Sequence, residues 1–195
     1  MLYAERNEEE RRKFLEEIAT IPPEKIIWMD ESGIDEVLYR LYAYEKQGKR
    51  AYCDHTGKRV SRTTMIAGYR AKKLIAPLYF KGNTDCIMVD AWCEHALKHE
   101  IQPGDVVVMD NATFHKYSNA VELIEGYGGR VLWMPKYSPD LSDIEPQWAN
   151  LKHGIRSNND NTLPFHQKLD TKYHQNVRDT CLRILNSEPG PDQYF

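Results

Sequence analysis

Asp105-Val106-Val107-Val108-Met109-Asp110 is the stretch that decides the fold. Successive side chains of a strand point to opposite faces, so an unbroken apolar run is stable as a strand only when both faces are covered. The run is short and bounded by Pro103-Gly104 before it and a polar loop after it, which favours a buried strand over a helix. A strand of that kind belongs in the middle of a sheet. It ends on Asp110, and Asn111-Ala112-Thr113-Phe114-His115-Lys116 follows as a loop dense in polar side chains.

Upstream, Lys25-Ile26-Ile27-Trp28-Met29-Asp30 is a second apolar run closed by an acid, with Glu31-Ser32-Gly33 as its turn. Asp30 then sits at the carboxyl end of a strand, where sheet proteins place ligands. By itself an acid there is more often a turn former than a catalyst. Thr63–Tyr69 and Leu74–Phe80 are rich in β-formers and read as two more strands, with Lys81-Gly82-Asn83 as the turn after them. Thr84 or Asp85 caps a helix running to about Glu100. That helix holds His95 and His99 four apart. It lacks the Glu that H-E-x-x-H places after its first His, so a partly exposed helix face explains the pair better than zinc.

Downstream, a helix is expected over Tyr117–Gly126 and a strand over Arg130–Met134. Met134-Pro-Lys-Tyr-Ser-Pro-Asp-Leu-Ser-Asp-Ile-Glu145-Pro-Gln-Trp-Ala-Asn-Leu-Lys152 then breaks at two prolines and restarts as a helix. Ser142 is placed to be its N-cap, and Pro146 is tolerated in the first turn, where the N–H groups have no partner to lose. Ile144, Trp148, Leu151 and Ile155 fall on one stripe; Glu145, Ala149, Lys152 and Arg156 fall on a neighbouring one. Glu145 has two readings. It completes an S-x-x-E capping box, or it is presented to a site. Three strands, a helix, then alternating strand and helix describe an α/β domain with a mixed five-stranded sheet flanked by helices.

At 195 residues the chain suits one domain with appendages, and 41% apolar content supplies a core. We divide it into a connector-like or packing helix within residues 1–22, a main domain over 23–157, and a loop and amphipathic helix over 158–195. The last helix carries Val177, Cys181, Ile184 and Leu185 on one side. No apolar run approaches a membrane span, and the four cysteines lack C-x-x-C spacing, so a cytosolic chain with reduced thiols is expected. The net charge of −3 hides an asymmetry: between Arg40 and Lys73 ten bases face two acids, a local +8, leaving −11 elsewhere. Lys46, Lys49, Arg50, Lys58, Arg59 and Arg62 stand there among Tyr39, Tyr42, Tyr44 and Tyr52, a mixture suited to phosphate contact and stacking. A solvated hairpin with half-buried tyrosines is the plainer reading of the same segment.

Asp30-Glu-Ser-Gly-Ile, Val107-Val-Met-Asp-Asn-Ala-Thr-Phe-His115 and Tyr137-Ser-Pro-Asp-Leu-Ser-Asp-Ile-Glu145-Pro-Gln-Trp-Ala-Asn-Leu-Lys152 together resemble the three signature blocks of Tc/mariner-like DDE transposases, in particular their bacterial insertion-sequence relatives. The 34 residues between Asp110 and Glu145 match that family's spacing, and the resemblance runs from about Lys25 to Arg156. It implies a ribonuclease-H-like (retroviral-integrase-like) fold in which the first and fourth strands are neighbours. Asp30, Asp110 and Glu145 would then be the catalytic acids and the metal ligands. Two Mg²⁺ or Mn²⁺ ions are the cofactor the resemblance implies, because converging carboxylates repel and hard oxygen ligands select such ions.

Asn111 and His115 become candidates for supporting the acids or contacting DNA. Lys46, Lys49, Arg50, Lys58, Arg59, Arg62, Lys152 and Arg156 become candidates for nucleic-acid binding. The implied partner is double-stranded DNA, both transposon ends and target, with a homodimer among the arrangements the family allows; no membrane and no small-molecule cofactor is implied. Active transposase, non-catalytic remnant and stand-alone nuclease are the three readings, in that order. Two departures stand out. Ser142-Asp143 replaces the more usual Asn-Pro, and no helix-turn-helix module precedes the first helix, which has six acids and four bases. DNA binding with little sequence preference is therefore expected.

Overall fold

The structure is a computed structural model that describes residues 5–35, 44–52 and 62–157. The expected C-terminal helix around Val177–Leu185, Tyr39, Tyr42, Lys58 and Arg59 lie outside the described residues. Five strands form one sheet: β1 (Ile26–Asp35), β2 (Arg62–Arg70), β3 (Lys73–Lys81), β4 (Val106–Met109) and β5 (Arg130–Trp133), in spatial order β3-β2-β1-β4-β5. The first three pair antiparallel; β4 runs parallel to β1, and β5 parallel to β4. This is the mixed α/β sheet read from the sequence, with the first and fourth strands side by side.

Strand β4 is buried along its whole length, as its valine run requires. Its residues divide between two cores. Val108 joins Ile26, Trp28, Met65 and Ala67 on one face, and Val107 and Met109 join Ile27, Met29 and Ile66 on the other. Helices α1 (Glu8–Ile18) and α5 (Glu145–Ser157) cover the first face, through Phe14 and through Trp148, Leu151 and Ile155, with Ile144 just before α5. Helices α2 (Cys86–His95) and α4 (Ala120–Gly126) cover the second, through Val89, Trp92, Cys93, Ala120 and Ile124. The short α3 (Thr113–Tyr117) follows β4 directly. The helix expected over Tyr117–Gly126 is therefore two pieces, broken where Ser118 takes an extended conformation.

Three local devices fix this arrangement. Ala71 and Lys72 both take positive φ, 48° and 67°, the sign that a tight two-residue hairpin turn between β2 and β3 demands, although neither is Gly or Asn. At the same end of the sheet, just before β4, Asp105 is fully buried; its Oδ2 accepts from Arg70 Nη1 at 2.7 Å and from the Gln102 amide at 2.8 Å, and Lys25 Nζ stands 3.2 Å from its Oδ1. Two cations and a backbone donor around one carboxylate tie β1, β2 and the start of β4 together, which is how a buried charge is tolerated. Helix α1 packs on the domain rather than standing clear. Phe14 meets Trp28 edge-on at 6.3 Å, Arg130 Nη1 donates to Glu17 at 2.8 Å, and Arg11 grips Asp140 with both terminal nitrogens at 3.0 and 2.7 Å.

The histidine pair loses its helical spacing. Helix α2 ends at His95, and His99 lies in a separate 3₁₀ turn (Leu97–His99). Cys93 is buried, and burial, with the charges of Asp90 and Glu94 behind it, pushes its thiol up to about 12. No helix among the described residues is long and apolar enough to cross a membrane.

Candidate active site

Asp30 is not the end of its strand. Strand β1 runs on to Asp35 because β2 continues to pair with it, Asp30 opposite Ala67 and Asp35 opposite Arg62. The parallel ladder to β4, however, stops at Trp28–Val108. Asp30 thus lies two residues past the last β1–β4 pair, and Asp110 two residues past its partner in the same register. Both continue the rows that face α5, since side chains alternate along a strand. Sheet pairing on one side and its absence on the other open a notch at the end of β4.

The third acid is delivered by α5, and not as a capping residue. Ile144 O accepts from the Gln147 and Trp148 amides, so Glu145 is the first residue of the helix instead of the fourth position of a capping box. Ser142 closes the preceding 3₁₀ turn (Pro139–Leu141), its amide donating to Pro139 O. The expected Ser142 cap is thereby corrected: the 3₁₀ turn consumes the residues that would have made it. Glu145 is exposed. It lines, with Asp30 and Asp110, a cleft of about 500 Å³ whose other walls include Asn111, Lys136, Tyr137 and Ser138. Tyr137 holds a positive φ of 55°, a strained conformation for a bulky residue, between the two prolines that shape the loop.

Each acid is held by a different partner. Trp148, whose ring packs in the core, donates its indole N–H to Asp30 Oδ2 at 2.8 Å. Burial first, then the adjacent charge of Glu31 and that of Glu145, push Asp30 up to about 7 despite that bond. Asp110 Oδ1 accepts from the Ala112 amide at 2.9 Å and stands 2.7 Å from His115 Nδ1. Burial works to raise Asp110, but the bond and charge of His115 and the Ala112 amide outweigh it and hold it below the usual carboxylate range. Asn111 donates its side-chain amide to Met134 O, tying the loop after β4 to the end of β5.

His115 is 1% exposed, so it offers no surface to DNA. Its Nε2 lies 2.7 Å from Glu31 Oε1. Two carboxylates, one at each ring nitrogen, can only accept, so both nitrogens carry protons and the ring is an imidazolium. Burial alone would lower its pKa; the bonds to Asp110 and Glu31 raise it to about 10. Glu31 and the Trp148 contact are the parts of this site that sequence reasoning missed. Glu31-Ser32-Gly33 has the composition of a turn, but Glu31 is a β1 residue, and period two puts it on the face opposite Asp30. The helical stripe marks Trp148 as core, and the signal for its second role is that a buried indole N–H needs an acceptor.

The basic candidates are spread differently. Lys46, Lys49 and Arg50 are exposed around a turn at Gly48, where the Lys49 amide donates to Lys46 O. Arg62 is the exposed first residue of β2, and its guanidinium fills the space that a side chain at Gly33 would take. Lys152 is half-buried on α5, and Arg156 is on the same helix.

Among the described residues no three His, Cys, Asp or Glu side chains stand close enough together to hold a metal ion as placed. The chemistry of the donor set nevertheless fits a hard divalent cation: three carboxylates from three elements share one cleft, and Asp30 is disfavoured as an anion by burial and then by its acidic neighbours.

The family model described as "DDE superfamily endonuclease" matches residues 25–164. Among solved structures, the Mos1 mariner paired-end complex with Mn matches with a TM-score of 0.68 at 19% identity, over 95% of this chain and 61% of that one. The Mos1 paired-end complex with the left transposon end matches with 0.64 at 20% identity, over 80% and 51%. The catalytic domain of Mos1 mariner transposase matches with 0.62 at 15% identity, over 95% and 90%. The chain therefore spans half to three fifths of the length of the Mos1 chains in those complexes, and at these identities the likeness is one of fold. A search of curated proteins gave no match.

Proposed function

The chain belongs to the DDE superfamily endonucleases, and on that premise we propose that it is the catalytic domain of a Tc/mariner-like transposase of the bacterial insertion-sequence kind. The reaction is divalent-metal-dependent cleavage of DNA at transposon ends, then joining of the freed 3′-hydroxyl to target DNA. The observation that carries this reading is the cleft itself: Asp30 from β1, Asp110 after β4 and Glu145 at the start of α5 line one cavity. Separate elements rarely bring three acids together without a use for them, because like charges in a partly buried site oppose one another.

Asp30, Asp110 and Glu145 are the residues that would hold Mg²⁺ or Mn²⁺. When bound, such ions offset the carboxylate charge and polarise a phosphodiester for displacement by an oxygen nucleophile. Trp148 fixes the rotamer of Asp30, and His115 that of Asp110, so that neither carboxylate turns into the core. Lys136, exposed on the cleft wall, is placed to meet a phosphate of the scissile strand. The exposed Lys46-Lys49-Arg50 turn and Arg62 are proposed to hold the flanking duplex.

The test is nicking of an end-containing duplex with and without Mg²⁺. Cleavage is expected from the wild-type chain, stopped by chelation and reduced to background by Asp30→Asn, Asp110→Asn or Glu145→Gln. One observation favours a second reading, a DNA-binding domain without chemistry: the acids do not close to metal-binding distance as placed. DNA binding with no cleavage in Mg²⁺ or Mn²⁺ would establish that reading instead.

A further inference from the structure

A carboxylate on the far face of the sheet is coupled to the cleft by a buried histidine. Glu31 follows Asp30, so its side chain leaves β1 on the opposite face, the one covered by α2 and α4. It is only partly buried, yet its Oε1 lies 2.7 Å from Nε2 of the fully buried His115. The other ring nitrogen, Nδ1, stands 2.7 Å from Asp110 Oδ1. The imidazole is further fixed by Phe114, whose ring meets it edge-on at 4.5 Å, and by α3, which starts three residues after Asp110. Asp110 Oδ1 accepts from the Ala112 amide and lies 2.7 Å from Nδ1, which also meets the Asp110 backbone carbonyl at 3.3 Å. That leaves Oδ2 as the oxygen available to the cleft. A carboxylate with one oxygen held by an amide and an imidazolium at 2.7 Å has little rotational freedom left.

We propose that Glu31 is a positioning residue of the reaction: by orienting His115 it holds Asp110 with Oδ2 turned to the cleft. Glu31 does not line the cleft itself, whose walls are Met29 and Asp30 of β1, residues of the loops after β4 and β5, and Glu145. Its influence passes through one ring, and it arrives at the one acid that lies beyond the end of its strand. Asp30 is held by sheet pairing on its β2 side, and Glu145 by the helix it begins. Asp110 has neither support, and Glu31–His115 supplies it. Partners of this kind behind a metal-binding carboxylate contribute through orientation, and their loss costs about 10–100-fold in metal affinity or activity.

The inference rests on the proposal that Asp110 binds metal, and the experiment separates the two. Mn²⁺ binding to the full chain is followed by the electron paramagnetic resonance signal of free Mn²⁺, beside single-turnover nicking and DNA affinity. Glu31→Ala is expected to weaken Mn²⁺ binding and slow nicking by about 10–100-fold with DNA affinity unchanged. Glu31→Gln, whose amide oxygen still accepts from Nε2, is expected to recover part of both. Because Glu31 acts through the ring, Glu31→Ala added to His115→Ala is expected to cost no further Mn²⁺ affinity. Wild-type affinity and rate in both Glu31 variants would overturn the proposal, as would additive losses in the double variant. Should Glu31→Ala fail to fold, Glu31→Gln decides: full affinity together with lowered thermal stability would mark a purely structural role. A wild-type chain that binds no Mn²⁺ would instead remove the metal reading of the acids, and this proposal with it.

Discussion

At the scale of single residues, two groups set how the domain responds to pH, and in opposite senses. Asp30 is raised to about 7, so its ionisation is disfavoured in the folded state. The stability tied to this group is fully present below the unfolded carboxylate value and is lost as pH rises through about 7. Asp30→Asn keeps an acceptor for the Trp148 indole and removes the charge. Allowing for partial exposure, it is expected to raise unfolding free energy by on the order of 2 kcal/mol at pH 8 and by little at pH 4. Urea titrations at the two values check it, and added Mg²⁺ should narrow the gap by stabilising the wild type alone. His115 is raised to about 10, so its contribution is complete below the unfolded imidazole value, about 6.5, and fades as pH climbs toward 10. His115→Phe leaves Glu31 and Asp110 without their shared cation. A loss of about 3–5 kcal/mol is expected at pH 6, shrinking at pH 10; equal losses at both values would mean that packing alone is at stake. The sequence made Asp30 and Asp110 visible because each closes an apolar run. Glu31 was hidden by standing next to a more conspicuous acid, and nothing in a linear reading ties residue 31 to residue 115.

At the scale of elements, the strands and their order were legible because each apolar run is bounded by turn residues. Their ends were less so. Strand β1 continues through Glu31-Ser32-Gly33, read as a turn, because β2 supplies a partner as far as Arg62, and pairing overrides local turn chemistry. The start of α5 shows the same limit. Ser142 and Glu145 have the spacing of a capping box, but Pro139 initiates a 3₁₀ turn that ends on Ser142, whose amide donates to Pro139 O. The difference is measurable. Ser142→Ala is expected to change stability by less than about 0.5 kcal/mol, where loss of a true N-cap would cost about 1. A thermal or urea shift of the larger size would restore the capping reading and pull Glu145 back toward the helix backbone. What freed this acid for the cleft was therefore the proline two turns of chain earlier, a feature whose geometric effect periodicity does not express.

At the scale of the whole molecule, charge is segregated: the exposed turn at residues 46–50 and Arg62 are basic, while α1 opens with Glu8, Glu9 and Glu10. Each phosphate contact adds about 0.9 to the slope of log affinity against log salt. Replacing Lys46, Lys49 and Arg50 with Ala is expected to flatten that slope by up to about three such contacts; an unchanged slope would mean that the duplex runs elsewhere. The surface was legible as a local excess of bases, but its placement was not, since composition carries no coordinates. Helix α1 was open in the sequence between a connector and a packing helix, and its apolar residues proved to close the α5-side core. The grip of Arg11 on Asp140 gives that helix a further consequence. Asp140 stands in the turn immediately before the helix that begins with Glu145, so the rim of the cleft is moored to residues far away in the chain. One bidentate ion pair thus joins two segments 129 residues apart in sequence, the first turn of α1 and the 3₁₀ turn that leads into α5.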